Sequence, residues 1–209
     1  PAMEMWSEQF FRERYGEIIV PVRRYKASTY EKIHMKLLTY LDYWKNIDIE
    51  NKSAQEILYL ADWEITRQVT PLVDDFTIPY YFQDDLFDEL PKELKFGRTW
   101  IFIGHPLVST PLHQDTFSTS AWLTMIKGTK IIRLVPPQYT ELLNKKTSLF
   151  DEKYVASLLE KNIPCFEVTI GRGETLYIPG RWFHEVKNID KNIMLTNNFL
   201  DKWNFINFT

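Results

Sequence analysis

HQDTFSTSAWLTMIKGTKIIRLVPP, residues 113–137, decides how this chain folds. Ala121–Ile126 and Lys130–Val135 are β-prone runs, parted by a Lys127-Gly128 turn and closed by Pro136-Pro137. The same grammar continues outward on both sides. Trp100–Ile103 precedes the stretch, and Cys165–Ile170, Thr175–Ile178, Glu185–Ile189 and Ile193–Leu200 follow it. Turn residues separate these runs at His105-Pro106, Gly171-Arg172-Gly173, Pro179-Gly180 and 188–192. Short strands at this spacing point to a sandwich or barrel. A helical insert is expected near 139–160, where the pattern breaks.

The first half reads mainly as helix. Ser7 can cap a helix through Arg14, and Gly16 ends it. Glu17–Tyr25 reads as a strand. Ser28 or Thr29 then caps a helix to about Asn46, in which Ile33, Leu37, Leu38, Leu41, Tyr40 and Trp44 recur at helical spacing. Ser53–Leu58 reads as a shorter helical turn leading into an extended Tyr59–Ile65. The expected fold is mainly β with α, in one domain over 1–209. Residues 1–98 form its helical and extended N-terminal layer, and 99–200 its β-barrel core.

Composition narrows the function. Aromatic residues reach 15%, which suits a β-rich body with large core side chains. Net charge is −3 with both signs interspersed, which gives no nucleic-acid surface. No apolar run is long enough to span a membrane, and no signal-peptide pattern opens the chain. The one cysteine, Cys165, excludes an internal disulfide and suits a reducing compartment, so a cytoplasmic protein is expected.

His113-Gln114-Asp115 and His184 supply two imidazoles and a carboxylate. Two His and one carboxylate on one face of an ion form the facial triad of non-haem Fe(II) oxygenases, and also suit Zn, Mn, Co or Ni. On a strand, alternate residues share a face, so His113 and Asp115 are expected to reach one ion together. An isolated H-x-D triplet arises readily by chance, and a His between aromatics can be a core residue. The other histidines have no comparable setting: His34 reads as a structural or exposed helix residue among charges, and His105 as the start of a loop near the mouth, open to either a structural or a functional role.

The context of the triad resembles the jumonji-C (JmjC) oxygenases of the cupin superfamily, nearest the subgroup that includes the lysyl hydroxylases. The resemblance is carried by residues 113–137 and by GETLYIPGRWFHEVKNIDKNIMLTNNF (173–199). It continues more faintly in YLADW (59–63), IPYYFQDDLF (78–87) and WSEQFFRERYGEIIVPV (6–22). It implies a double-stranded β-helix with Fe(II), 2-oxoglutarate and O2 as cofactor and cosubstrates. His113, Asp115 and His184 match the iron ligands. Lys130 matches the lysine that pairs with the distal 2-oxoglutarate carboxylate. Thr110 and Thr196 match hydroxyls lining the cosubstrate, Tyr59 and Asn198 further cosubstrate or neighbouring positions, and Trp100 a pocket wall. Leu123 departs from the pattern, because relatives often carry Asn there. The tail lacks the C-terminal helical pair by which some relatives dimerise, and oligomeric state stays open.

The implied reaction is hydroxylation of a protein or peptide side chain, lysyl first, then aspartyl, asparaginyl or arginyl. A small-molecule substrate is an alternative. So is a cupin metalloenzyme that does not use 2-oxoglutarate, or a non-catalytic binding module. Asp84, Asp85, Asp88 and Glu89 follow the aromatic run Tyr80–Phe82 and are expected at the site entrance, where they would attract a basic substrate.

Overall fold

The computed structural model describes residues 1–26, 29–47, 57–106 and 108–207. The N-terminal part contains α1 (Ala2–Met5), α2 (Glu8–Tyr15), β1 (Ile19–Lys26), β2 (Thr29–Lys36), α3 (Leu37–Asn46), β3 (Leu58–Glu64) and α4 (Ile65–Gln68). The remainder contains β4 (Thr99–Gly104), β5 (Ser109–His113), β6 (Ser120–Lys127), β7 (Lys130–Val135), α5 (Glu152–Glu160), β8 (Phe166–Ile170), β9 (Thr175–Ile178), β10 (Phe183–Asn188) and β11 (Asn192–Phe199). Seven strands form one antiparallel sheet in the order β2-β1-β3-β4-β11-β6-β9, and four form the other as β5-β10-β7-β8. This is a jelly-roll arrangement, the class expected from the sequence.

The two sheets enclose one apolar layer. Phe102, Leu123, Met125 and Met194 of the large sheet meet Ile132, Leu134, Ile170 and Val186 of the small one. A second layer covers the outer face of the large sheet, where Phe11, Tyr40, Leu41 and Trp44 pack against Trp63, Ile101, Trp122 and Leu195. Strand β11 shows why both layers form. Ile193, Leu195 and Phe199 point outward, while Met194 points inward, as a period of two requires.

Most predicted elements stand where the residues placed them. Ser7 Oγ accepts the Phe10 amide at 3.2 Å and starts α2. Gly16 ends that helix, where a Cβ would lie 2.6 Å from the Arg12 carbonyl. The helical insert is a 3-10 turn at Pro137–Leu142 followed by α5.

The helix expected from Ser28 or Thr29 to Asn46 is corrected. Its first half is β2, paired with β1 from Ile19↔Lys36 to Lys26↔Thr29, and only Leu37–Asn46 is helical. Ile33 and Leu37 are four apart, a spacing that serves either a helix or every second residue of a strand. Val20↔Met35 and Val22↔Ile33 pairing selects the strand. His34 is accordingly a strand residue. Ser28 lies outside the described residues, as do 53–56 of the expected Ser53–Leu58 turn, and Leu58 itself opens β3.

Candidate metal and cosubstrate site

Strands β5 and β10 are antiparallel neighbours, with His113 directly opposite His184. Their ring centroids are 4.1 Å apart. Asp115 is not on the strand. The ladder ends at His113, and Asp115 caps the 3-10 turn Thr116–Ser118. Strand alternation therefore does not align the carboxylate, as H-x-D had suggested. The turn does so, and brings Asp115 Oδ1 to 3.9 Å from His113 Nε2.

One donor atom from each of His113, Asp115 and His184 lies within 4.8 Å of the others. His113 Nδ1 faces the Pro111 carbonyl at 2.8 Å, and His184 Nδ1 faces the Trp182 carbonyl at 3.2 Å. A carbonyl can only accept, so each Nδ1 carries the proton and each Nε2 keeps its lone pair for an ion. Burial, and then the neighbouring His184, push His113 down to about 4, which keeps its imidazole neutral near pH 7. Asp115 Oδ2 is buried without a hydrogen-bond partner among the described residues. An orphaned carboxylate oxygen is costly, and a divalent cation between the three side chains removes that cost. The donor set fits a 2-His-1-carboxylate ion.

A cavity of about 360 Å³ opens beside the triad. Its walls include Trp100, Phe102, Thr110, Leu123, Thr196 and Asn198 together with the three candidate ligands. Thr196 stands in register with both Trp100 and Leu123, so one rung of the large sheet builds the wall opposite the small sheet. Leu123 makes this wall apolar. The Thr196 hydroxyl donates to the Trp122 carbonyl at 2.9 Å, leaving its lone pairs toward the cavity. Asn198 Nδ2 donates to Thr119 Oγ1 at 2.8 Å, and Thr119 Oγ1 donates to the Thr116 carbonyl at 2.9 Å. Asn198 thereby steadies the turn that Asp115 begins.

Lys130 and Tyr59 lie beneath the cavity rather than in its lining. Both are fully buried. Lys130 Nζ donates to Tyr59 Oη at 3.1 Å, and its ammonium sits 5.6 Å from the Phe102 ring. No carboxylate partners this lysine among the described residues. Burial, with a smaller contribution from Arg23, pushes Lys130 down to about 7. Burial pushes the Tyr59 phenol up to about 12, so it remains protonated. An unpaired buried ammonium is a site waiting for an anion.

Arg23 and Asp62 also line the cavity and were not singled out in the sequence. Arg23 Nη2 lies 2.8 Å from Asp62 Oδ1, with Nε at 3.3 Å from Oδ2. Burial opposes the guanidinium charge, but Asp62 outweighs it and the Arg23 pKa is raised. Asp62 adopts φ 61 at an irregularity in the β3–β4 register between Leu60 and Trp63. An Arg on a strand directly after the apolar run Val20-Pro21-Val22, itself followed by Arg24, was the available signal for Arg23. Nothing local foretold the left-handed backbone of Asp62.

Gly104 sets the depth of this floor. A Cβ there would stand 2.5 Å from Asn188 Nδ2 and 2.7 Å from Cε2 of Tyr59. Gly104→Ala is expected to push the Tyr59 phenol off Lys130. The checks are calorimetric 2-oxoglutarate affinity, weakened about tenfold or more, and a destabilisation of about 1–3 kcal/mol by urea unfolding.

His105 is wholly buried, with its ring 6.1 Å from Trp44 and 6.2 Å from Tyr43, and it does not line the cavity. Asp84, Asp85, Asp88 and Glu89 do not line it either. Asp85 accepts the Phe87 and Leu200 amides and contacts Arg98, which also holds Asp88 at 2.8 Å. Phe82 stacks over Trp122 and Tyr177 on the outer face of the large sheet, while Phe87 packs on Phe96 and Phe96 on Phe117, two residues from Asp115.

No helix among the described residues is long and apolar enough to cross a membrane. Residues 1–204 match the family model described as a cupin-like domain. The chain is 30% identical over 207 residues to the human 2-oxoglutarate and iron-dependent oxygenase JMJD4, covering 92% of this chain and 49% of that protein. It is 30% identical over 220 residues to the Arabidopsis thaliana lysine-specific demethylase JMJ21, covering 98% and 22%. Against the Caenorhabditis elegans bifunctional arginine demethylase and lysyl-hydroxylase psr-1 it is 29% identical over 184 residues, covering 80% and 45%. The chain thus spans about half or less of the length of these relatives. Their names agree with the JmjC oxygenase resemblance and with the iron and 2-oxoglutarate that it implied, and the chain belongs to the cupin-like domain family.

Proposed function

We propose that this chain is the oxygenase domain of an Fe(II)- and 2-oxoglutarate-dependent hydroxylase acting on a protein or peptide side chain, with lysyl the first candidate. The observation that carries this reading is two unsatisfied groups at one cavity: among the described residues, Asp115 Oδ2 in its lining has no hydrogen-bond partner, and the Lys130 ammonium beneath it has no carboxylate. The names of the relatives support a protein substrate. We read 1–209 as one domain, with 99–200 as its core and 1–98 as the layer that widens the large sheet. An unpaired Cys165 suits a cytoplasmic setting.

When bound, iron would supply the activation of O2, with one oxygen atom going to 2-oxoglutarate as it leaves as succinate and CO2, and the other into a substrate C–H bond. The protein holds and orients iron and 2-oxoglutarate. His113 and His184 would offer neutral Nε2 donors, and Asp115 an anionic oxygen. Lys130 and Tyr59 would hold the distal carboxylate by charge-assisted hydrogen bonds, with the Thr110 hydroxyl alongside, and Thr196 would join them once its hydroxyl turns from the Trp122 carbonyl to the ligand. Trp100, Phe102 and Leu123 exclude water from the pocket between these ends.

The test is conversion of 2-oxoglutarate to succinate by Fe(II)-loaded protein with a panel of lysyl, aspartyl, asparaginyl and arginyl peptides, with His113→Ala as control. Succinate and a 16 Da mass gain on one peptide, both lost in the variant, are the expected result. Fe(II)-loaded protein that neither turns over nor binds 2-oxoglutarate would return the chain to the non-oxygenase cupin or binding-module readings.

A further inference from the structure

The candidate ligands come from two chain segments that diverge in sequence, and both are held in unfavourable backbone conformations. Phe117 and Ser118, just after Asp115, have φ 53 and 56, and Arg181, just before His184, has φ 68. L-residues rarely adopt these values, so the surrounding structure must impose them. The β5–β10 ladder already sets His113 opposite His184, so the candidate ligand whose place depends on a further tie between the two segments is Asp115 in its turn.

The lock is visible in the hydrogen bonds. Gly180 donates its amide to Ser120 Oγ at 3.0 Å, tying the His184 segment to the end of the Asp115 segment. The approach is so close that a Cβ on Gly180 would meet the Ser118 carbonyl at 2.3 Å. Gln114 Nε2 donates to the Arg181 carbonyl, a second tie between the same segments. The Ser120 hydroxyl is in turn gripped from outside both. Asn204 Nδ2 donates to Ser120 Oγ at 2.8 Å and to the Phe199 carbonyl at 3.1 Å. Asn204 Oδ1 accepts the Asp201 amide at 2.8 Å, while Asp201 Oδ1 accepts the Trp203 and Asn204 amides at 2.7 and 3.0 Å. The turn 201–204 is thus a folded plug whose one inward arm is Asn204, and that side chain is 6% exposed.

We propose that Asn204 is a positioning residue for the metal site: through Ser120 it fixes the Asp115 and His184 segments at the separation that one ion requires. It touches neither ion nor substrate. Deleting its amide frees Ser120 Oγ to rotate, the Gly180 tie loosens, and the strained turns relax outward. Metal affinity then falls without loss of any ligand, as happens when groups that orient metal ligands are removed. The proposal rests on the triad being a metal site.

The test is Mn(II) binding followed by electron paramagnetic resonance on wild type, Asn204→Ala, Ser120→Ala, the double variant and His113→Ala. One Mn(II) per wild-type chain and none in His113→Ala is the first expected result. No binding by wild type would overturn the metal reading, and the proposal with it. With wild type binding, Asn204→Ala and Ser120→Ala should each weaken Kd roughly tenfold. The double variant should be no weaker than the worse single, because both act through one hydroxyl. An Asn204→Ala protein that melts earlier yet binds Mn(II) with wild-type Kd would overturn the proposal alone and leave Asn204 a purely structural residue. If Asn204→Ala does not fold, Ser120→Ala, which removes a single oxygen, decides by the same criterion. Substituting Co(II) adds a signature, since the visible spectrum of the bound ion should shift in the variants only if ligand geometry changes.

Discussion

Lys130→Met is expected to weaken 2-oxoglutarate binding by at least about a hundredfold while making the ligand-free protein more stable. The two signs are opposite because the lysine is a burden until an anion arrives. In the free protein its ammonium is fully buried and, among the described residues, bonded only to the Tyr59 phenol. Removing one partner of a buried ion pair costs about 3–5 kcal/mol, which is more than a hundredfold in affinity. Methionine fills a similar volume without a charge, so the ligand-free variant should gain a few kcal/mol in urea unfolding at pH 7.

The pH dependence follows from the same group. Lys130 lies at about 7 when folded, below its ordinary 10.5. Between these values the unfolded chain holds one more proton than the folded one, so this lysine makes stability rise with pH from 7 to 10.5. On the role proposed for Lys130, binding of 2-oxoglutarate needs the charged form and should run the other way, weakening up to about tenfold per pH unit above 7. Calorimetry and urea titrations of both proteins across pH 6–9 measure the two slopes. Parallel slopes in wild type and Lys130→Met would remove the lysine from both roles.

Asp115→Ala is the second large effect. The losses reported for groups that merely orient ligands are about 10–100-fold, so deletion of the only anionic donor in the triad should exceed 100-fold in metal Kd. Among the described residues Asp115 Oδ2 is buried without a partner, so the variant should be as stable as wild type or more so when metal-free. Thermal melts with and without excess Mn(II) separate the two. Wild type should gain melting temperature with the metal as mass action requires, and Asp115→Ala should not. A wild-type-sized metal shift in the variant would mean that the ion sits elsewhere.

How much the sequence disclosed depended on the range over which its signals act. Strands such as Lys130–Val135 and Thr175–Ile178 are bounded by Gly and Pro turns, and their limits coincide with those of the structure. Thr29–Lys36 was misread because Ile33 and Leu37 satisfy two periods, and only pairing with β1 decides between them. The triad was legible as a residue set, but the position of Asp115 in a turn was not, since strand and turn both set two residues apart on one side. Arg23, Asp62 and Asn204 act through partners 39 and 84 residues away, and no local pattern encodes such distances. His105 was ambiguous for the same reason: the Trp44 and Tyr43 rings that bury it arrive from α3.

Lys130 stands on the four-stranded sheet and Tyr59 on the seven-stranded one, and elsewhere the two sheets meet through an apolar layer. A dianion held at that point would act as a rivet through both halves of the sandwich. Amide protons deep in β3, β7 and β10 would then exchange with solvent at a rate set by how often the dianion leaves, so the barrel breathes on the timescale of its cosubstrate rather than on its own.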